Sequence, residues 1–222
     1  MADFDLVQFD LDGTLIDSVP QLADAISAML SKLGLATQSV NAVRGWVGNG
    51  ADMLVQRALT AALGQAPDAA LQQQARSMFD EAYANHADGS LVFYPGVLST
   101  LEQVRASGMR MALVTNKPYR FVPGILAAAG LGSHFELVLG GDSLAEKKPS
   151  PAPLLHVCRQ LDISPARSLM VGDSENDVLA AKAAGMAVAG LTYGYNYGRS
   201  IADSQPDWVL DDFAGLASIL KL

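Results

Sequence analysis

Apolar and polar residues follow two different rhythms along this chain. Short apolar runs bounded by turn residues, Phe4 to Phe9, Met109 to Val114, Leu137 to Leu139 and Leu169 to Val171, have the form of strands buried on both faces. Ala187 to Leu191 and Trp208 to Leu210 add two further strands. Helical patterns lie between the runs, and this alternation predicts an α/β fold with a doubly wound, mostly parallel sheet. Residues 18–90 break the rhythm. Ala, Leu and Gln dominate there, apolar residues recur at helical spacing in Leu22 to Leu33, Leu54 to Leu63 and Leu71 to Tyr83, and strand-like runs are missing. The pattern predicts a core of residues 1–17 and 91–222, with a small helical domain, 18–90, inserted after the first strand. Asp17 Ser18 Val19 Pro20 offers a turn and helix start on one side of it, and Tyr94 Pro95 Gly96 a turn on the other. Both linkers would meet above the carboxyl edge of the sheet, where the insert is either a mobile lid or a fixed decoration.

The strand ends carry the candidate chemistry, because in an open α/β sheet the carboxyl ends of strands face the ligand crevice. The first strand runs into Asp10 Leu11 Asp12 Gly13 Thr14, two acids on alternate residues before a glycine turn. Read alone, Asp12 Gly13 Thr14 is as well explained by turn formation. The second ends in Thr115 Asn116 Lys117 Pro118, whose hydroxyl and amide can donate to phosphate oxygens or simply cap a helix. After the third comes Lys147 Lys148 Pro149 Ser150 Pro151, a stiff loop that offers a fixed countercharge or a solvated basic turn. The fourth ends in Gly172 Asp173 Ser174 Glu175 Asn176 Asp177, with Asp173 and Asp177 four apart on one helix face. Acids at a helix start are ordinary one at a time. Asp10, Asp12, Asp173 and Asp177 converging on one crevice are not, because four partly desolvated carboxylates repel unless a cation or protons compensate. Magnesium suits such a site, preferring oxygen ligands and completing its shell with water and substrate phosphate.

Composition narrows the partners. Half of the 222 residues are apolar, enough for a full core. Net charge is −8 with acids and bases interspersed, so there is no basic stripe for nucleic acid. No run approaches the roughly 20 apolar residues of a membrane span, and the start lacks the regions of a signal peptide, so a cytoplasmic protein is expected. The single Cys158 lies in a helix-like run and reads as a small hydrophobe.

Taken together, the motifs at Asp10 to Thr14, Thr115, Lys148 and Gly172 to Asp177 resemble, in order, those of the haloacid dehalogenase superfamily. The resemblance covers essentially the whole chain and implies a Rossmann-like core with a helical cap inserted after the first motif. Trp46 to Asp52, Val114 to Pro118 and Gly190 to Gly198 resemble the branch that hydrolyses 2-phosphoglycolate to glycolate and phosphate. The resemblance implies Asp10 as a nucleophile that forms an aspartyl-phosphate, and Asp12 as general acid and base, protonated at first under the influence of neighbouring negative charge. Thr115, Asn116 and Lys148 would bind phosphoryl oxygens. Lys148 is preferred to Lys147 because it directly precedes Pro149, where the family has its lysine. Mg2+ would be held by the side chains of Asp10 and Asp173 and by the main-chain carbonyl of Asp12, with Asp177 as support.

The expected partner is a small phosphorylated organic acid, with the enzyme a monomer or homodimer. Arg44, before the Gly45 to Gly50 loop, is the candidate reader of the substrate carboxylate, against the plain alternative of a surface arginine. Tyr193, Tyr195 and Tyr197 are marked by the resemblance alone. The alternatives are a phosphatase for other small esters and a phosphosugar mutase with the same nucleophile. A hydrolytic dehalogenase is disfavoured by Asp12, and a phosphonate hydrolase by a predicted cap whose one lysine is Lys32. A non-enzymatic phosphate-binding protein of this fold is disfavoured by the presence of Asp10.

Overall fold

A computed structural model describes residues 4–86 and 92–222. In chain order the elements are β1 (Leu6–Phe9), α1 (Val19–Lys32), α2 (Val40–Arg44), α3 (Ala51–Leu63), α4 (Ala69–His86), α5 (Val97–Ala106), β2 (Arg110–Val114), α6 (Val122–Ala128), β3 (Leu137–Leu139), α7 (Ala152–Leu161), β4 (Ser168–Gly172), α8 (Glu175–Ala183), β5 (Ala187–Leu191), β6 (Trp208–Leu210) and α9 (Leu216–Leu220). Each predicted strand is present, with ends shifted by at most two residues.

The six strands form one sheet in the order β3-β2-β1-β4-β5-β6, every neighbouring pair parallel. Phe9 at the end of β1 lies level with Leu113 of β2 and Val171 of β4. Strand order reverses between β1 and β4, and this switch point is where doubly wound sheets open a ligand crevice. β1 is buried throughout, and its side chains alternate between two apolar layers. Val7 and Phe9 join one layer, and Leu6 joins the other with Leu154, Val157 and Met170. The amide nitrogen of buried Gln8 donates to the Leu154 carbonyl at 3.2 Å.

Helices α1 to α4 stand between β1 and α5; α1, α3 and α4 lie where the apolar spacing predicts helices and bury Ile26, Met29, Leu59 and Phe79. The five-residue α2 is not foreseen, since it is too short to display a helical period. It starts where the Ser39 hydroxyl accepts from the Ala42 N–H at 3.2 Å. The two chain crossings beside this insert pair with each other: the Asp17 N–H donates to Val92 O at 2.8 Å and the Tyr94 N–H to Leu15 O at 3.2 Å. The expected boundary between residues 90 and 91 lies outside the described residues. Among the described residues no helix is long and apolar enough to cross a membrane.

Phe9 ties the sheet to its surroundings, with ring centroids 6.2 Å from Phe135 and 6.0 Å from Phe213. Phe9→Ala is expected to lower unfolding free energy by about 3–5 kcal/mol in urea titrations. A loss below about 1 kcal/mol would contradict this packing role.

Candidate active site

Strand pairing fixes the first acid, because the Asp10 N–H still donates to Val171 O at 3.0 Å just past the end of β1. Gly13 then turns the chain at φ +89°, and the Thr14 hydroxyl reaches Asp173 Oδ1 at 2.8 Å. Asp173 follows β4 directly, and its Oδ2 accepts from the Tyr195 N–H at 2.7 Å. Asp177 sits in the first turn of α8, where its Oδ2 accepts from the Ser174 N–H at 3.1 Å and the Ser174 hydroxyl at 2.7 Å. Its other oxygen turns inward. Lys148, 2 % exposed, places Nζ 2.7 Å from Asp177 Oδ1 and 2.9 Å from Asp10 Oδ1, and donates to Val114 O at 2.5 Å. Asp177 thus caps its helix with one oxygen and orients the lysine with the other.

Carboxylate oxygens of Asp10, Asp173 and Asp177 lie within 4.8 Å of one another, all three residues buried. Three acids face one ammonium, and the protonation preferences follow. Burial pushes Asp10 up to about 6, opposed by Lys148 and reinforced by Asp177 and Asp12. Burial, with Asp10 and Asp177 adding to it, raises Asp173 well above the ordinary carboxylate value. Burial works against the Lys148 ammonium, but Asp10 and Asp177 outweigh it and hold it charged. An oxygen-only donor set with surplus negative charge fits a hard divalent cation.

Asp12 points elsewhere. Both its oxygens accept from Lys117 Nζ, at 2.9 and 3.0 Å, and that ammonium lies 4.8 Å from the ring centroid of Tyr83 on α4. The neighbouring negative charge expected at Asp12 is therefore replaced, at closest range, by a cation. Asp10, Asp12, Thr115 and Lys117 line an open cleft together with the apolar side chains of Leu22, Leu54, Phe79 and Phe121.

The comparisons with known proteins agree with this geometry. The profile of haloacid dehalogenase-like hydrolases matches residues 7–191. The chain belongs to that family. A phosphoglycolate phosphatase of Psychrobacter arcticus is 50 % identical over 222 residues, covering 98 % of this chain and 96 % of its own. One from Pseudomonas putida is 51 % identical over 212 residues, covering 95 % and 78 %. A crystal structure from Haemophilus somnus, described as a predicted phosphoglycolate phosphatase, superposes with a TM-score of 0.94 at 44 % identity, covering 99 % of each chain. Membership of this hydrolase family makes the chain an enzyme.

Within this haloacid dehalogenase-like frame, two expected site residues are placed differently from the sequence reading. Asn116 lines the cleft, but its amide donates to Lys148 O at 2.8 Å and Gly48 O at 3.0 Å. Both donors are spent on backbone, so the side chain clamps two loops and has no N–H left for a phosphoryl oxygen. Arg44 is not among the described residues lining this cleft. It lines a separate groove, paired with Asp17 at 3.2 Å and stacked 5.2 Å from the centroid of Tyr195. Lys147 Nζ lies beside Gly50, whereas Lys148 Nζ pairs with Asp10 and Asp177. Lys117 and the Tyr195 N–H were missed, and Thr14, part of the Asp10 to Thr14 motif, had no role assigned to it. Lys117 stood in the quoted strand-end segment, and a lysine two residues past Thr115 was the available signal.

The Asp10 shift has a measurable consequence in metal-free protein. An unfolded aspartate titrates near 3.9 and the folded one near 6. The folded state therefore binds this proton more tightly, and its stabilising contribution is complete below pH ~4 and lost as pH rises through ~6. Between pH 4 and 7.5, wild type in chelator is expected to lose roughly 1–3 kcal/mol more stability than Asp10→Asn. Equal pH slopes in denaturant titrations of the two proteins would contradict the shift.

Proposed function

We propose that this enzyme is a magnesium-dependent phosphatase that hydrolyses 2-phosphoglycolate to glycolate and phosphate through an aspartyl-phosphate on Asp10. The observation that carries the reading is the buried contact of Asp10 with Lys148 at the switch point of the sheet, with Asp12 two residues further on. The names of relatives at about half identity support the substrate. A chain with one buried cysteine, and so no internal disulfide, is in keeping with a cytoplasmic setting.

A carboxylate oxygen of Asp10 attacks phosphorus, the new O–P bond forms, and the bond from phosphorus to the glycolate oxygen breaks. The proton on Asp12 passes to that oxygen. Asp12 then takes a proton from water, which attacks phosphorus and releases phosphate and the free Asp10 carboxylate. Lys148 and Thr115 steady the phosphoryl oxygens as charge spreads over them. Magnesium would be held by Asp10, Asp173 and the Asp12 main-chain carbonyl beside Asp177, and when bound it offsets charge on the phosphoryl group. Residues 18–90 serve as a cap that closes over the cleft.

Lys117 takes the specificity role that the sequence suggested for Arg44. It is the only cation among the described residues lining the cleft, and burial, outweighed by Asp12 and Tyr83, leaves it firmly charged. A substrate carboxylate competes with Asp12 for this ammonium and frees Asp12 for proton transfer.

Magnesium-dependent phosphate release from a panel of small esters tests the reading. 2-Phosphoglycolate is expected to be turned over preferentially, and not at all by Asp10→Asn. Lys117→Met is expected to cut kcat/KM for 2-phosphoglycolate about tenfold to hundredfold more than for an ester without a carboxylate. Broad turnover without this preference, or an equal loss on both esters, would overturn the assigned substrate.

A further inference from the structure

The loop after β5 carries Tyr193, Gly194 and Tyr195 across the junction between the sheet and the helical insert. The Tyr195 N–H holds Asp173 Oδ2 at 2.7 Å, while the phenol of the same residue donates to Asp17 Oδ1 at 2.5 Å and accepts from the Ser18 N–H at 3.0 Å. The other oxygen of Asp173 is held by the Thr14 hydroxyl at 2.8 Å, and the Tyr193 phenol donates to the Thr14 carbonyl at 2.9 Å. Both oxygens of Asp173 are thus held by groups bonded to the segment 14–18, through which the chain enters α1. The same segment bonds the returning strand, through the Asp17 N–H to Val92 O at 2.8 Å. A Cβ at Gly13 or at Gly194 would overlap the Asp173 side chain, so backbone packs directly on both sides of the carboxylate. Arg44 extends the chain of contacts into the insert, paired with Asp17 at 3.2 Å and stacked on Tyr195.

We propose that Tyr195 is a positioning residue that couples the seating of the helical insert to the orientation of the Asp173 carboxylate. This rests on the reading of Asp173 as a cation ligand. Rotation of the insert about residues 15–18 and 92–94 displaces Asp17 and Ser18, and the phenol transmits that displacement to the main chain bonded to Asp173. Coupling between binding sites is reciprocal, so a cation bound at Asp173 favours the seated insert by the factor with which the seated insert favours the cation.

Mn2+ binding without substrate, followed by electron paramagnetic resonance, tests the coupling together with hydrogen exchange of the peptide covering residues 17–25. Tyr195→Phe keeps the N–H on Asp173 and removes the phenol oxygen, with its bonds to Asp17 and Ser18 and its interaction with Tyr94. It is expected to weaken Mn2+ binding about threefold to tenfold, the range of one ordinary hydrogen bond. In wild type Mn2+ slows exchange of the 17–25 peptide; in Tyr195→Phe this slowing is lost. Asp17→Ala gives a similar loss, the double variant loses no more than the larger single loss, and Asp17→Ala decides the matter if Tyr195→Phe does not fold. A Tyr195→Phe protein with a lowered Tm but wild-type Mn2+ affinity and exchange response overturns the coupling and leaves the metal site standing. Wild type that binds no Mn2+ overturns the metal reading and the coupling together.

Discussion

The carboxylate cluster depends on one buried ammonium. Lys148 lies within 2.9 Å of Asp10 and 2.7 Å of Asp177, with Asp173 completing the cluster, so one positive charge stands against three acids. Desolvating an ion costs several kcal/mol, and that cost is tolerable only with opposite charge and hydrogen bonds in place. The chain provides these from rigid positions: the end of β1, the end of β4, the first turn of α8 and the Val114 carbonyl at the end of β2. Burial, with this incomplete compensation adding to it, makes Asp10 and Asp173 bind protons more tightly than ordinary carboxylates. A phosphorylated anion approaching this surplus of negative charge needs a further cation, and the oxygen donor set suits a hard one.

A second ion pair, Lys117 with Asp12, joins the sheet to the insert, since Lys117 also lies under Tyr83 of α4. The two lysines divide the work by position. Lys148 holds the cluster from beneath, and Lys117 faces the cleft, where an incoming anion can exchange with Asp12. The loop of Tyr193 to Tyr197 ties the same two parts together from the opposite side. Asn176 on α8 donates to Gly48 O at 3.2 Å and to the Tyr197 hydroxyl at 2.8 Å, so the loop before α3 is held by the core as well.

The fold was legible because buried parallel strands are written as continuous apolar runs, and three of the six were bounded to the residue. α2 was not, for want of one full helical period. Asp10 and Asp173 stand out as candidates because each directly follows a strand, where topology alone aims it at the crevice, and Asp177 because it falls in the first turn of the next helix. Asp12 and Lys117 are 105 residues apart, and no local pattern announces that they pair. The placement of Arg44 was hidden for the same reason, its partners Asp17 and Tyr195 being fixed by tertiary packing. The tyrosines had no role in the sequence because two of their key bonds run through main-chain atoms, the Tyr195 N–H and the Thr14 carbonyl, which residue identity does not reveal.

The central claim is that Asp10 becomes covalently phosphorylated. Rapid acid quenching during turnover of 2-phosphoglycolate, followed by peptide mass spectrometry, tests it directly. The account predicts a phosphoryl group on the side chain of Asp10, formed and lost at rates that match turnover. Turnover with Asp10 unmodified at every quench time, or a phosphoryl group on another residue, would contradict it.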